Sequence, residues 1–177
     1  MAGRGKALIF CSASNTIDPK YNQAARELVR AACLHGYDIV SGGTIKGTMR
    51  HVAEEAEAMG AVHEGILPRF TQGLEYPGLT RTIWTGTMSE RKELMREGTD
   101  LAIALPGGIG TLDEFFETFT LARLGRYHGK VIVFNFDGYY DDLRGLLAGM
   151  VEHGMLDQES FEMVSFPATV EEFEKLI

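Results

Sequence analysis

The sequence predicts an α/β fold with a mostly parallel sheet and helices on both faces. Three observations predict it. Short apolar runs bounded by glycine turns alternate with segments of helical period from end to end. Two of the glycine-rich turns follow a strand and open a helix, as a βαβ unit requires. The chain has 177 residues, 45% hydrophobic and 24% charged, which is ordinary globular composition with enough length to bury one substantial core. The expected arrangement is Rossmann-like and doubly wound. A single domain over residues 1–177 is expected, since no composition break, low-complexity tract or internal repeat divides the chain.

The elements follow in order. The apolar run 7–11 reads as the first strand and residues 21–34, with helical period, as the first helix. A second strand at 37–40 runs into Ser41-Gly42-Gly43-Thr44-Ile45-Lys46-Gly47, which opens a helix over 48–59. A third strand at 62–67 precedes an irregular Gly- and Pro-containing stretch at 68–79, open to two readings: an active-site rim or a plain surface loop. A fourth strand at 80–84 and a helix at 89–97 come next. The buried-type strand 101–105 then passes through Pro106-Gly107-Gly108-Ile109-Gly110-Thr111 into a helix at 112–124. Strands at 131–135 and 162–166 and helices at 140–153 and 170–177 complete the pattern.

Composition excludes several classes of function. The longest apolar runs, 7–11, 101–105 and 131–134, are far shorter than the roughly 20 residues needed to cross a bilayer, so no membrane partner is expected. The N-terminus passes from Arg4 and Lys6 straight into a short apolar run without an extended h-region, which makes a cytoplasmic location the expectation. A net charge of -8 offers no electrostatic footprint for a nucleic acid polymer, while leaving room for a small anionic ligand in a local amide-rich pocket. Cys11 and Cys33 lack metal-type spacing and read as small buried side chains. His51 with Glu54 and Glu55 reads as a surface pair, and His35, His63, His128 and His153 stand isolated, so no metal site is expected.

The chemistry concentrates at the Pro106–Thr111 turn. Three glycines leave backbone N–H groups unblocked at the positive end of a helix, which is how a phosphate is cradled without a lysine. The turn at 41–47 should lie on the same carboxyl edge of the sheet, where open α/β sheets bind ligands. Glu114 and Glu117 share one helical face within about a turn of that anion site. Acids in a first turn favour the helix dipole, but beside a bound anion at least one is expected to serve chemistry on the sugar, and Glu114 lies nearer the glycines. Arg91 and Lys92 are adjacent cations at a helix start, where the dipole disfavours them; paired with neighbouring acids they could also be a solvated face.

Together these residues resemble the Lonely Guy (LOG) family. Pro106-Gly107-Gly108-Ile109-Gly110-Thr111-Leu112-Asp113-Glu114 completes the PGGxGTxxE signature, accompanied upstream by Arg91-Lys92 and Met95. Phe10-Cys11-Ser12-Ala13-Ser14, Ser41-Gly42-Gly43 with Gly47-Thr48-Met49, and Asn135-Phe136-Asp137-Gly138-Tyr139-Tyr140 fall in the family's order and spacing, over about the first 155 residues. The resemblance implies a phosphoribohydrolase that cleaves the N-glycosidic bond of a purine nucleoside 5′-monophosphate, a cytokinin riboside monophosphate or AMP, releasing base and ribose 5-phosphate. It implies Arg91 and Glu114 as the catalytic pair and Gly107, Gly108, Gly110 and Thr111 as the phosphate cradle, with Gly43, Met88, Lys92 and Glu117 completing the substrate-binding set. It also implies a homodimer whose site is completed across the interface, and no cofactor. Family members often carry a lysine decarboxylase label, but no Lys stands as a convincing pyridoxal phosphate anchor. The chain departs from the family pattern at Ser12, Thr44 and Ser89, positions around the nucleotide that bear on substrate identity; Lys46 beside them is either an added phosphate partner or an exposed loop lysine.

Two other functions are weighed against hydrolysis. A non-catalytic nucleotide or cofactor carrier could use the same cradle, since fold does not fix function. A dinucleotide-dependent oxidoreductase is disfavoured, because the first βα turn, Cys11-Ser12-Ala13-Ser14-Asn15, lacks GxGxxG.

Overall fold

The computed structural model describes residues 4–177. Its strands are β1 (Gly5–Phe10), β2 (Tyr37–Ser41), β3 (His63–Pro68), β4 (Arg81–Thr85), β5 (Leu101–Ala104), β6 (Lys130–Val133) and β7 (Val164–Ser165). Its helices are α1 (Pro19–Leu34), α2 (Gly47–Ala58), α3 (Met88–Arg96), α4 (Ile109–Arg123), α5 (Asp141–Glu152), α6 (Gln158–Glu162) and α7 (Val170–Glu174). The strands form one sheet in the order β4-β3-β2-β1-β5-β6-β7, and every pairing is parallel.

Strand alternation sorts side chains between the two faces. From β1, Ala7 and Ile9 join Leu28 and Val29 of α1, Val52 of α2 and Phe173 of α7 on one face. Leu8 and Phe10 join Met95 of α3, Phe115 and Phe119 of α4 and Leu147 of α5 on the other. A sheet buried on both sides needs apolar residues at successive positions, which is why its strands read as continuous apolar runs. Cys11 and Cys33 are both buried and free.

Two local readings change. The stretch 162–166, read as a strand, is divided: Glu162 ends α6, and only Val164 and Ser165 pair with β6. Five-residue α6 is too short to show a helical period, and it is held by Asp157, whose carboxylate accepts from Ser160 N. The stretch 68–79 contains a single 3₁₀ turn and folds onto the second glycine turn, where Ile45 N donates to Leu74 O and Tyr76 N to Gly43 O.

The strand order reverses beside β1: β2 lies on one flank and β5 on the other. Phe10 is in register with Ala104, so the segments leaving these two strands emerge side by side at the carboxyl edge. Open α/β sheets leave a crevice at such a switch point. No helix among the described residues is long and apolar enough to cross a membrane.

Candidate functional site

A cavity of about 250 Å³ opens at this switch point, lined from the segment leaving β1 by Cys11, Ser12 and Ala13 and from the α4 turn by Gly108, Gly110 and Thr111. Met49, Met88, Arg91, Asp113 and Glu114 close its other sides. A second lobe of about 320 Å³ shares Ser12 and Gly108 with it and is walled by Tyr21, Gly107 and Tyr139.

The glycines of the α4 turn have two different reasons to be there. A Cβ on Gly107 would collide with Thr111 Oγ1, so Gly107 allows the turn to close on the helix. A Cβ on Gly108 or Gly110 would meet nothing within 4 Å, and neither residue has a positive φ. Neither packing nor backbone conformation explains those two glycines. What they do is keep the amide side of the turn bare. Helices α1 and α3 are capped by the side chains of Asp18 and Thr87, whereas α4 begins at Gly108 with no side-chain cap. The helix opened by the other glycine turn is already engaged: Gly47 N donates to Asn15 Oδ1 and Met49 N to Ser12 O. The start of α4 thus offers free N–H groups and a positive dipole end to an anion.

Beside it lies a buried ion pair. Arg91 Nη1 donates to Glu114 Oε1 at 2.8 Å, and the two side chains are 7% and 9% exposed. Arg91 Nε also donates to Ile66 O at 2.8 Å, which fixes the guanidinium plane against β3. Gly42 makes room for it, because a Cβ there would stand 2.6 Å from Arg91 Nη2 and 2.9 Å from Met49 Sδ. Burial pushes the Glu114 carboxyl above the usual carboxylate range, while the Arg91 guanidinium pulls the other way. Burial also raises the Cys11 thiol, assisted by the Glu114 charge, so Cys11 presents a neutral wall. The site therefore brings together an uncapped helix start, a carboxyl raised by burial, and a permanent cation oriented by backbone.

Of the residues singled out in the sequence, Met88, Arg91, Gly108, Gly110, Thr111 and Glu114 line the main cavity and Gly107 the adjoining lobe. Lys92, Glu117 and Gly43 line neither. Lys92 pairs with Asp113 and Glu117, and Arg96 also bonds Glu117, at 2.7 Å, so these charges tie α3 to α4. Gly43, with φ +68°, lets β2 approach β3: a Cβ there would lie 2.7 Å from Gly65 Cα. Lys46 is exposed. The roles of Gly42, Met49 and the Ile66 carbonyl went unread, because each depends on strand order; Gly42 and Met49 were visible only as motif members.

His63, read as isolated, is buried with Nε2 2.7 Å from Ser41 Oγ, and burial pushes its pKa down to about 4. Of the two acids read beside His51, only Glu54 meets it, at 3.8 Å, along with Arg26; Glu55 is buried and pairs with Arg26 and Arg30 instead.

Known proteins bear on this geometry. The family model described as "Possible lysine decarboxylase" matches residues 46–177. An Arabidopsis thaliana protein named as a cytokinin riboside 5′-monophosphate phosphoribohydrolase is 32% identical over 173 residues, spanning 97% of this chain and 80% of its own. A Mycobacterium tuberculosis protein of the same name is 32% identical over 164 residues, spanning 92% and 87%. Among solved structures, the molybdenum cofactor binding protein from Rippkaea orientalis superposes with a TM-score of 0.75 at 21% identity, over 99% of this chain and 96% of that one. The molybdenum cofactor carrier protein from Chlamydomonas reinhardtii gives 0.72 at 19%, over 98% and 95%; at such identities the likeness is one of fold. With the PGGxGTxxE turn, relatives at this identity along nearly the whole chain and a family match over most of it, the chain belongs to the LOG family.

Proposed function

We propose that this protein is a phosphoribohydrolase that splits a purine nucleoside 5′-monophosphate, a cytokinin riboside monophosphate or AMP, into free base and ribose 5-phosphate. The observation that carries the reading is the Arg91–Glu114 pair, buried in the cavity that the uncapped amides of α4 also face. The phosphate sits on the N–H groups of the Gly108–Thr111 turn and anchors the ribose, so that the anomeric carbon lies over Glu114. Holding reactants in this way can lower a barrier by several kcal/mol, roughly.

Cleavage of the C1′–N bond builds oxocarbenium character on the sugar. The Glu114 carboxylate stabilises that charge and accepts a proton from the attacking water as the new C1′–O bond forms. The departing purine leaves with the electrons of the broken bond and takes up a proton from solvent, and Glu114 afterwards returns its proton to solvent, so that one water is consumed overall. A carboxyl raised by burial is a stronger base, which suits this exchange. Arg91 orients Glu114 and the ribose, since an always-charged guanidinium is a poor acid. The names of the relatives, phosphoribohydrolases, support hydrolysis. The decarboxylase description draws no support from the cavity, where no lysine is found among the described lining residues.

A homodimer is part of the proposal. Ile109, 83% exposed at the start of α4, and Met88, 43% exposed at the start of α3, leave apolar surface beside the site for a second copy to cover. Sedimentation of the purified protein checks it, and a monomer at micromolar concentration removes this part.

The test is incubation with AMP and with N6-isopentenyl-AMP, following base release by chromatography, for wild type and Glu114→Gln. Release by wild type and a loss of about 10³-fold or more in the variant is expected, since the variant keeps the shape and removes the charge. Binding of both nucleotides without cleavage would replace the hydrolase with a carrier.

A further inference from the structure

The segment Asn135–Tyr140 contributes the Tyr139 wall of the second lobe, and it also reaches the glycine turn twice. Tyr139 Oη donates to the Gly107 carbonyl at 2.8 Å, and Tyr140 Oη donates to the Leu105 carbonyl at 2.7 Å. Two adjacent residues thereby hold two carbonyls of one turn, on either side of Pro106. They can do so because the chain doubles back just before them: Asp137, at φ 55°, and Gly138, at φ 68°, are consecutive left-handed residues. Asn135 then fixes the arrangement. It is buried, its Oδ1 accepts from Tyr140 N at 2.6 Å and its Nδ2 donates to Asp141 Oδ1 at 2.8 Å. The rings brace each other, with Tyr139 edge-on to Tyr140 at 4.9 Å and to Tyr21 at 5.4 Å.

The consequence follows from peptide geometry. In a trans peptide the C=O and the next residue's N–H point in opposite directions within one plane. Gripping the Gly107 oxygen therefore sets the direction of the Gly108 N–H, and Gly108 lines both lobes of the site. A glycine-rich turn without such a grip is free to flip its peptide planes and to present a carbonyl, which repels an anion, where an amide is needed.

We propose that Tyr139 is a positioning residue for the anion site, holding the Gly107 carbonyl aside so that the Gly108 amide faces a phosphate monoester, while Tyr140 anchors the start of the turn at the Leu105 carbonyl, whose peptide with Pro106 carries no N–H. This rests on the phosphate reading of the turn given above, and it adds that α5 and its leading loop preset the turn before ligand arrives.

The experiment follows backbone amide resonances of Gly107, Gly108, Gly110 and Thr111 in ¹⁵N-labelled full-length protein during titration with AMP and with inorganic phosphate. Wild type, Tyr139→Phe and Tyr140→Phe are compared, with Tm measured for each. Tyr139 is half-exposed, so loss of its hydroxyl is expected to leave Tm nearly unchanged and weaken AMP about 10-fold, with the free-state Gly108 resonance displaced. In base release, KM is expected to rise by a similar factor while kcat changes less than about twofold. Tyr139→Phe binding AMP as wild type does, with Gly108 undisplaced, overturns the positioning role and leaves the phosphate site standing. Affinity lost only in step with Tm also overturns it. Wild-type amides that respond to neither AMP nor phosphate overturn the phosphate reading, and this proposal with it.

Discussion

Replacing Arg91 with Met removes a charge from a pair that water scarcely reaches, and the effect on Glu114 can be worked out. Arg91 Nη1 and Glu114 Oε1 are 2.8 Å apart. Two unit charges about 4 Å apart attract by about 4 kcal/mol at an effective dielectric constant of about 20, or roughly three pKa units at about 1.4 kcal/mol each. Because the pair borders an open cavity, water entering beside Met replaces part of that attraction. A neighbouring opposite charge typically shifts a carboxyl by about 1–3 units, so a rise of about one to two units is expected. Glu114 already stands above its ordinary value through burial, with Arg91 opposing the shift, so the variant leaves burial unopposed. The sign follows: at any given pH less of the carboxylate survives, and the acid limb of kcat/KM for AMP moves to higher pH by about one to two units. Base release measured from pH 4 to 9 reads the shift directly, with Arg91→Lys as the charge-retaining control whose limb stays close to that of wild type. The variant also strands the buried Ile66 carbonyl, at about 1–3 kcal/mol, so Tm should fall by about 2–4 °C for each kcal/mol lost. An acid limb that does not move in Arg91→Met refutes the idea that Arg91 sets the ionisation of Glu114.

Three further outcomes are expected. Gly110→Ala should stabilise the fold by about 0.5–1 kcal/mol and so raise Tm, since Gly110 is helical and a Cβ meets nothing, yet weaken AMP binding about 10-fold by covering the amides; calorimetry and titration on one sample check both, and unchanged affinity would remove the anion from that turn. Gly107→Ala should instead destabilise, because its Cβ runs into buried Thr111; a Tm equal to that of wild type would contradict the close fit. His63 is held neutral by burial, at about 4 against 6.5 when unfolded, so the unfolded chain takes up the proton first as pH falls. Its contribution is complete above pH 6.5 and is lost between there and about 4, by about 3 kcal/mol. Urea unfolding at intervals from pH 7.5 to 4 should show that loss in wild type and a flatter profile in His63→Gln; parallel profiles would sink the assignment.

The sequence by itself determined the alternation of seven strands with helices, because a sheet buried on both faces demands short continuous apolar runs and its covering helices demand a 3.6-residue period. It also located the glycine turn between β5 and α4, since glycine spacing between strand and helix is a local property, and it singled out Arg91 and Glu114, which the structure brings together. Short elements were read poorly: α6 spans too few residues for a period to register, and the last strand, expected over 162–166, pairs only at Val164 and Ser165. Tertiary structure alone decided how the charges divide. Arg91 and Lys92 are neighbours in sequence but about 100° apart around α3, so one enters the cavity to meet Glu114 and the other turns to Asp113 and Glu117. Tertiary structure alone also made Gly42 a vacancy for a guanidinium and set Tyr139 and Tyr140 against the carbonyls of a turn more than 30 residues earlier. Those contacts join segments distant in the chain. They follow from the order of strands β2, β1, β5 and β6 in the sheet, which no local pattern encodes.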